Sequence, residues 1–575
     1  MTEQSRLPVK DSGATAWHLF VPKLYTILRE GYTAADFRHD TVAGLTVAIV
    51  ALPLAMALAI ASGATPDKGL ITAIVAGFLI SALGGSRFQI GGPTGAFVVV
   101  VFDVIRNHGY DGLIVATIMA GFILLIAGFM RLGTLIKYIP QPVVTGFTAG
   151  IAVIIFSSQL DAFFGFGITD LPAEVPGQWL AYLTNIQNID LITLSLAAGT
   201  LALIIVLRTY APKVPGFLVA LIVGAGAATL LHLPVTTIGS QFGELPNFLP
   251  SPALPDIEWR EIPGLLPSAL TIAFLAGVES LLSAVVADGM TGRRHRSNCE
   301  LVAQGVANMA SGFFGGMPAT GAIARTATSI KSGARSPVAG MLHAVFLLLI
   351  MLLFAPLAIY VPLACLAAVL VIVAWNMSEV ERFRSLLRAS LGEKLILLTT
   401  FLLTILVDLT VAIEVGVIMA ALFFMYRMAN VVEIATDISL IEEDRDDLTD
   451  PHREAYAPGR GVAKGIEVYD ITGPFFFGTV SLLTDVLERI NTKTEIIILR
   501  MGKVPMVDAT GATALADFIR RSRAKGRIVI LSEAAPAIVQ KLSRMENGKS
   551  NGKYHVTASF DEARELATHH LRKDE

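Results

Sequence analysis

The sequence predicts an α-helical polytopic membrane protein followed by a small α/β domain. Of its 575 residues, 54% are hydrophobic and 16% are charged, and the mean hydropathy is +0.64. Soluble domains carry about 25% charged residues, so most of this chain is expected to lie in a bilayer. Apolar stretches approaching the roughly 20 residues of a spanning helix recur from about Val42 to Met428, and a soluble composition follows them.

Hydropathy predicts fourteen spans in two sets of seven. The first set lies near 42–61, 69–83, 93–105, 113–130, 143–160, 189–208 and 216–232. The second set lies near 265–287, 298–314, 319–330, 337–358, 361–376, 393–411 and 412–428. With a cytoplasmic N-terminus, the inside loops hold fourteen Lys and Arg residues against three outside, so both termini are predicted to be cytoplasmic. The N-terminus lacks the pattern of a cleavable signal, and we expect a multi-pass protein of a bacterial inner membrane.

The two sets of spans resemble each other in sequence. "LTVAI" at 45–49 matches "LTIAF" at 270–274, and "PTGAF" at 93–97 matches "ATGAI" at 319–323. Because seven is odd, the second set must enter the membrane from the opposite face. The sequence therefore predicts an inverted repeat, which is typical of secondary transporters.

The third and tenth spans are too short to cross a bilayer as helices. From 94 to 105 and from 320 to 330 a helix rises only about 17–18 Å, against a hydrocarbon core of about 30 Å. The remainder must be extended chain through "GGP" at 91–93 and "GGMPA" at 315–319. Two half-helices entering from opposite faces bring their N-termini together, and their unpaired N–H groups favour an anion there.

Arg325 lies about one turn into the tenth span and adds a full positive charge to this predicted anion site. A charge inside a membrane is costly, which favours a functional role over a structural ion pair or a snorkelling side chain. The predicted anion-binding residues come from both half-helices: Thr94, Gly95, Ala96, Phe97, Thr320, Gly321, Ala322, Ile323 and Arg325. Helix capping by the two threonines and close helix packing at the two glycines are the alternative interpretations.

Five segments resemble the sulfate permease (SulP) family of anion transporters. They are "AGLTVAIVALPLAMALAIASG" at 43–63, "GGSRFQIGGPTGAF" at 84–97, "ESLLSAVVADGMTGRRHRSNCELVAQGVAN" at 279–308, "GGMPATGAIARTATSIKSGARSP" at 315–337 and "VDATGATAL" at 507–515. The resemblance implies seven plus seven inverted repeats and a cytoplasmic STAS domain. It also implies a core domain, with spans one, three, eight and ten, that moves against a gate domain with spans five to seven and twelve to fourteen.

The chain departs from the family pattern at Leu54, where many members carry Gln or Glu. This change makes sulfate less secure as the substrate and favours bicarbonate or a C4-dicarboxylate. At the repeat offset, Leu54 matches Glu279 in the eighth span, which becomes the predicted coupling residue beside the site, with the Ser280 hydroxyl next to it. An ionised carboxylate repels an anion, so symport with a proton or sodium is expected. A Glu279–Arg325 ion pair that only orders the core is the alternative.

Strand and helix patterns alternate in the last part of the chain. The predicted order is "GIEVYDI", "TVSLLTDVLERI", "TEIIILRM", "GATALADFIRRSRAKG", "RIVILS" and "PAIVQKLSRM". We divide the chain into a cytoplasmic segment (1–40), a transport domain (41–430), an acidic linker (431–462) and the STAS domain (463–575). In STAS relatives that act as anti-sigma antagonists, the residue matching Thr510 is phosphorylated. A structural helix cap is the preferred interpretation of "VDATG" here.

Two other classes of function remain open from the sequence. A nucleobase–proton symporter shares the membrane architecture, but generally lacks a STAS domain and does not need Arg325. A membrane-tethered sensor would bind the anion and signal through the STAS domain without transport. Enzymatic chemistry has no support, because no metal cluster, nucleophile triad or P-loop pattern is found. The expected partners are a small anion, a proton or sodium, membrane lipid and a second copy of the chain, with no nucleic acid and no cofactor.

Overall fold

The computed structural model describes most of the chain, and it forms two compact units, Met1–Val417 and Ile418–Glu575. The described residues are 19–134, 140–168, 171–172, 174–211, 214–244, 246, 248–253, 255, 261–407, 409–430, 433–436, 465–476, 494–545 and 554–574. The predicted helix "TVSLLTDVLERI" and most of the predicted linker lie outside these residues.

The helices of the first repeat follow the predicted spans closely. They are α1 (Lys23–Gly31), α2 (Ala34–Ala61), α3 (Pro66–Leu83), a 3-10 turn (Gly95–Phe97), α4 (Val98–Phe129), α5 (Gln141–Phe164), α6 (Val175–Thr184), a 3-10 turn (Ile186–Asn188), α7 (Leu191–Tyr210), α8 (Gly216–Leu230) and α9 (Ile238–Phe242). The predicted third and fourth spans form one element, α4, which breaks at Gly109, where φ is 70° and ψ is −178°. Glycine adopts this backbone conformation without steric cost, so the helix turns there.

In the second repeat the third and fourth predicted spans are separate helices, α12 and α13. The helices of this repeat are α10 (Ile262–Thr291), α11 (Ser297–Phe313), α12 (Ile323–Lys331), α13 (Val338–Ala358), α14 (Leu363–Met377), α15 (Val380–Leu386), α16 (Leu391–Leu406) and α17 (Leu409–Asn430). Among the described residues, nine helical segments are long and apolar enough to cross a membrane. Each of the fourteen predicted spans coincides with a helix, and the predicted multi-pass helical fold class is confirmed.

A two-stranded antiparallel ribbon joins the two repeats near the half-helices. Strand β1 (Gly91–Gly92) pairs with β2 (Thr320–Gly321), with Gly91 opposite Gly321 and Gly92 opposite Thr320. The predicted extended chain therefore exists in both repeats, and each segment supplies hydrogen-bond partners for the other. Irregular backbone at membrane depth requires such internal partners.

The tenth span begins later than predicted because of this ribbon. The sequence predicts a helix over 319–330, whereas α12 begins at Ile323, after Thr320 and Gly321 have paired with β1. With nine residues, α12 rises only about 14 Å, which confirms a half-helix.

The second unit contains a five-stranded sheet in the order β3-β4-β5-β6-β7. The strands are β3 (Glu433–Thr436), β4 (Ile466–Thr472), β5 (Ile496–Lys503), β6 (Ile528–Ser532) and β7 (His555–Thr557), and the helices are α18 (Ala509–Ala524), α19 (Pro536–Met545) and α20 (Phe560–Asp574). Strand β3 pairs antiparallel with β4, and the other neighbours are parallel. Residues 433–436 lie in the predicted linker but form a sheet strand, and β7 and α20 were not predicted as separate elements.

Candidate functional site

The predicted coupling carboxylate touches the first half-helix. Thr94, directly after the β1 segment, donates from its hydroxyl to Oε2 of Glu279 on α10 at 2.7 Å. Glu279 is half-buried, whereas Thr94 is 7% exposed. The hydroxyl is used by this contact, and Thr94 makes no side-chain cap on the 3-10 turn that follows it. A carboxylate of the second repeat therefore closes one side of the N-terminus of the first half-helix.

Arg325 crosses from the second half-helix to the first. It lies in the first turn of α12 and is only 3% exposed, and its Nη2 donates to the backbone carbonyl of Pro93. Glu279 and Arg325 form no direct ion pair among the described residues: the Glu279 carboxylate accepts from Thr94, and Arg325 donates to Pro93. Their charges still act on each other through a low-dielectric interior. The alternative interpretation of a structural Glu279–Arg325 pair is thus not the arrangement found.

Gly92 allows this approach of the guanidinium. Its φ is 147°, and a Cβ atom added there would lie 2.6 Å from Nη1 of Arg325. On the other strand, a Cβ on Gly321 would lie 1.8 Å from Nε2 of Gln89. Close approach of polar side chains therefore requires glycine at Gly92 and at Gly321, whereas Gly95 allows close packing of Met377 and Ile155 from neighbouring helices.

The rest of the predicted anion-binding set surrounds the two N-termini. Gly95, Ala96, Phe97, Gly321 and Ala322 are buried, and Ile323 is half-buried. Thr320 lies in β2 rather than at a helix start, and its hydroxyl donates to the carbonyl of Ala276 at 2.8 Å. The backbone of both segments thus meets at one place, while the Thr320 hydroxyl faces α10.

Two side chains of the predicted gate spans lie against the start of the first half-helix. A Cβ on Gly95 would lie 2.5 Å from Sδ of Met377 at the end of α14 and 3.1 Å from Cδ1 of Ile155 on α5. Neither residue is predictable from the sequence, because an apolar side chain in a spanning helix carries no signal by itself. Their packing covers the N-terminus at Gly95.

Ser280 lies in a different polar cluster from Glu279. Its hydroxyl accepts from Nε2 of Gln89 at 2.6 Å and donates to Oε1 of Glu300 on α11 at 3.2 Å. Glu300 is fully buried and also accepts from the backbone N–H groups of Gly85 and Ser86 at 2.9 and 3.1 Å. Through its bond to Gln89, Ser280 therefore holds the segment that leads into β1, and it acts on the site only indirectly.

The position of Glu300 is visible in the sequence as part of a polar pattern. Glu300, Gln304 and Asn308 are spaced by four residues and form a polar stripe along one face of α11. Gln304 donates to Glu300 at 3.2 Å, and Asn308 exchanges hydrogen bonds with Ala319, at 2.8 and 2.9 Å, just before β2. A polar stripe inside a predicted membrane helix indicates a buried network, since lipid cannot satisfy these groups.

Leu54 is half-buried and packs against the main hydrophobic core. A separate cavity of about 780 Å³ lies between α2, α8 and α13 and is lined almost entirely by apolar side chains. An apolar lining offers nothing to a hydrated anion, so this cavity does not compete with the site at the half-helices.

In the second unit, Asp508 caps α18 by accepting from the N–H of Gly511 at 2.6 Å. Thr510, the possible phosphorylation position, is exposed in the first turn of that helix. The capping interpretation of "VDATG" is therefore the arrangement found.

Comparisons with known proteins give a consistent result. The sulfate permease family model matches residues 37–400, and the STAS domain model matches residues 461–563. The putative sulfate transporter YvdB of Bacillus subtilis (strain 168) is 41% identical over 507 residues, which cover 87% of this chain and 92% of YvdB. The bicarbonate transporter BicA of Picosynechococcus sp. (strain ATCC 27264 / PCC 7002 / PR-6) is 31% identical over 525 residues, covering 89% of this chain and 91% of BicA. The structure of murine Slc26a9 has the same fold, with a TM-score of 0.83 at 16% identity, covering 98% of this chain and 97% of that one.

Proposed function

Because the chain belongs to the sulfate permease family of anion transporters, we propose that it is a secondary active transporter that binds one small anion between the two half-helices. The observation that carries this proposal is the antiparallel ribbon, which holds Thr94 and Arg325 at one site although they come from different repeats. Two helix N-termini and one guanidinium then converge on the anion.

Charge balance favours a monovalent anion. Arg325 provides one positive charge, and the ionised carboxylate of Glu279, which lies beside Thr94, offsets that charge. With Glu279 neutralised, one negative charge on the substrate balances the site, whereas a divalent anion leaves a buried charge without a partner. Bicarbonate is therefore the leading substrate, and sulfate and a C4-dicarboxylate are the alternatives. The half-buried, apolar Leu54 adds no polar group that would favour sulfate.

Glu279 couples transport to a cation in this proposal. Its carboxylate accepts a hydrogen bond from Thr94 and forms no ion pair with Arg325, so direct contact does not neutralise its negative charge. A proton on Glu279, or a sodium ion bound to it, removes the repulsion between the carboxylate and the anion. Anion and cation then enter together, which is symport.

For the site to open, Met377 and Ile155 must move away from Gly95. Met377 and Ile155 lie on the predicted gate spans, and both pack against the first half-helix. We therefore assign the transport step to movement of the core domain, which carries α2, α10, α12 and the first half of α4, against the gate domain. We also propose a homodimer in a bacterial inner membrane, with both termini in the cytoplasm.

The test is uptake of labelled bicarbonate into proteoliposomes that contain the purified full-length protein. Competing sulfate, fumarate, succinate and a nucleobase are added in turn, under an imposed proton gradient or an imposed sodium gradient. Concentrative bicarbonate uptake driven by one of the two gradients supports the proposal. Binding without flux would make the protein a sensor, and competition by the nucleobase alone would make it a nucleobase carrier.

A further inference from the structure

His343 is a buried, chemically reactive side chain that the proposed function leaves unused. It lies on α13 and has 0% exposure, and among the described residues neither ring nitrogen has a hydrogen-bond partner. Its backbone packs against Gly44 of α2, and its ring lies against Gly77 of α3, with Cε1 4.0 Å from the position of an added Cβ. The backbone of His343 is therefore closely packed against α2, and its ring lies within van der Waals reach of α3.

Arg325 has the complementary set of free groups. Its Nη2 donates to Pro93, whereas Nε and Nη1 have no partner among the residues that the structure describes. The guanidinium lies at Gly92, whose added Cβ would be 2.6 Å from Nη1 and 3.4 Å from Cα of Ala73 on α3.

These contacts bring the two side chains to neighbouring turns of the same helix. Ala73 and Gly77 are four residues apart and therefore lie on one face of α3, about 5–6 Å from each other. Arg325 stands near Ala73 and His343 near Gly77, beneath the ribbon of β1 and β2. The two side chains share no direct hydrogen bond, and a single water molecule with one bond to each side can connect groups at neighbouring turns of a helix.

The chemistry of the two groups fits such a bridge. A guanidinium only donates, whereas a neutral imidazole offers one acceptor nitrogen. Buried polar groups without partners destabilise a protein, and internal waters commonly satisfy them where two or more polar atoms converge.

We propose that an internal water bridges a free N–H of Arg325 to the unprotonated ring nitrogen of His343, and that His343 thereby positions Arg325 for anion binding. The bridge itself is independent of transport, and its effect on anion binding rests on the proposed function. His343 does not touch the anion in this scheme.

The surroundings of His343 contain few other charges. Helix α13 has no other titratable residue, and α3 has none after Lys68. On α2 the nearest acid is Asp40, whose carboxylate is occupied by Tyr32, Ser336 and the backbone of Arg335, and His39 beside it is exposed. On α12 the charged residues are Arg325 and Lys331.

The transport test compares His343→Leu with His343→Gln in the full-length protein, and uses His39→Gln as the control for an exposed histidine. The probes are labelled bicarbonate and labelled sulfate. We expect His343→Leu to raise the half-saturating concentration about tenfold, which corresponds to about 1.4 kcal/mol, with a smaller change in the maximal rate. His343→Gln keeps an acceptor and should recover most of the affinity. Unchanged affinity in the Leu variant, or an equal loss in both variants, would overturn the positioning role.

A second measurement does not depend on transport or on the folding of a variant. A cryo-EM map of the wild-type protein at a resolution that shows ordered water should contain a density within hydrogen-bond distance of both Arg325 and His343. A ring nitrogen bonded directly to a protein carbonyl, or a dry gap between the two side chains, would overturn the bridge. If the bridge is seen but no tested anion is transported, the proposed function fails and the bridge stands.

Discussion

The two repeats supply the same backbone to the anion site but very different charges. "PTGAF" at 93–97 and "ATGAI" at 319–323 both lie where extended chain gives way to a helix start, and the ribbon pairs Gly91 and Gly92, just before the first motif, with Gly321 and Thr320 of the second. At the offset of 226 residues that aligns these motifs, Arg325 corresponds to Val99, and at the offset of 225 residues that aligns "LTVAI" with "LTIAF", Glu279 corresponds to Leu54. Both charges therefore come from the second repeat, and the first contributes the Thr94 hydroxyl and its N–H groups.

This difference shows that the backbone and the side chains of the proposed site have separate functions. The symmetric backbone brings two helix N-termini together, which any anion of suitable size could use. The asymmetric side chains give the site a fixed charge and a neutralisable carboxylate, and these are the properties that selectivity and coupling need. The four changes below test this separation, from the largest expected effect to the smallest.

Removing the positive charge of Arg325 should have the largest effect on anion affinity. Arg325→Ala leaves two helix termini, each equivalent to about half a charge, and we expect anion affinity to fall at least about 100-fold because a buried charged contact is lost. Equilibrium binding of labelled bicarbonate to purified protein measures this. Arg325→Lys keeps the charge and serves as the control, and Val99→Arg in the Arg325→Ala background asks whether the symmetric position can supply it. Unchanged affinity in Arg325→Ala would exclude the site.

Neutralising Glu279 should abolish accumulation while sparing binding. Glu279→Gln resembles the protonated carboxyl, so a proton-coupled transporter should become a passive exchanger, and uptake should stop at the external concentration. In the wild type, uptake should rise as the external pH falls, and this dependence should vanish in the variant. If sodium is the coupling ion, the variant loses anion binding as well, because no carboxylate holds the cation. Normal coupling in the variant would mean that Glu279 is structural.

Adding one methyl group to the ribbon should weaken binding moderately. Gly92→Ala introduces a Cβ 2.6 Å from Nη1 of Arg325 at a φ of 147°, so the guanidinium must move. We expect about a tenfold loss of anion affinity together with about 1–3 kcal/mol of backbone strain. Gly109→Ala is the matched control, since Gly109 also has a positive φ, of 70°, but no atom within 4 Å of an added Cβ. It should lower thermal stability without changing affinity, and equal affinity losses in both variants would contradict the argument.

Removing the STAS domain should have the smallest effect on the site. A chain truncated before residue 463 keeps all fourteen predicted spans, so it should insert in the membrane and bind the anion, although its oligomeric state or rate is expected to shift. Membrane fractionation and binding measure these properties. Failure to insert would mean that the STAS domain is part of the folding unit.

Hydropathy and span length predicted much of this molecule from the sequence. The helices and the two half-helices followed from them. The family and its STAS domain followed from the resemblance of five sequence segments, and the matches to the family models confirm that resemblance. The start of α12 was predicted wrongly because pairing of Thr320 with Gly92 depends on a strand more than two hundred residues away. Met377, Ile155 and His343 were missed for a similar reason, since only three-dimensional packing brings them to the site. Glu300 was predictable, because its polar stripe is visible in the sequence.

The ribbon also determines when the site can exist during synthesis. Gly91 reaches the membrane without Gly321, so the hydrogen-bonding groups of β1 lack their partner while the intervening chain is being made. At about 5–20 residues per second, the roughly 230 intervening residues take about 10–45 s to translate. During this interval the first half-helix cannot settle in lipid alone, because an unpaired extended backbone is not tolerated there. Assembly of the anion site is therefore a late event in biogenesis, and a nascent chain arrested before β2 should remain dependent on the insertion machinery.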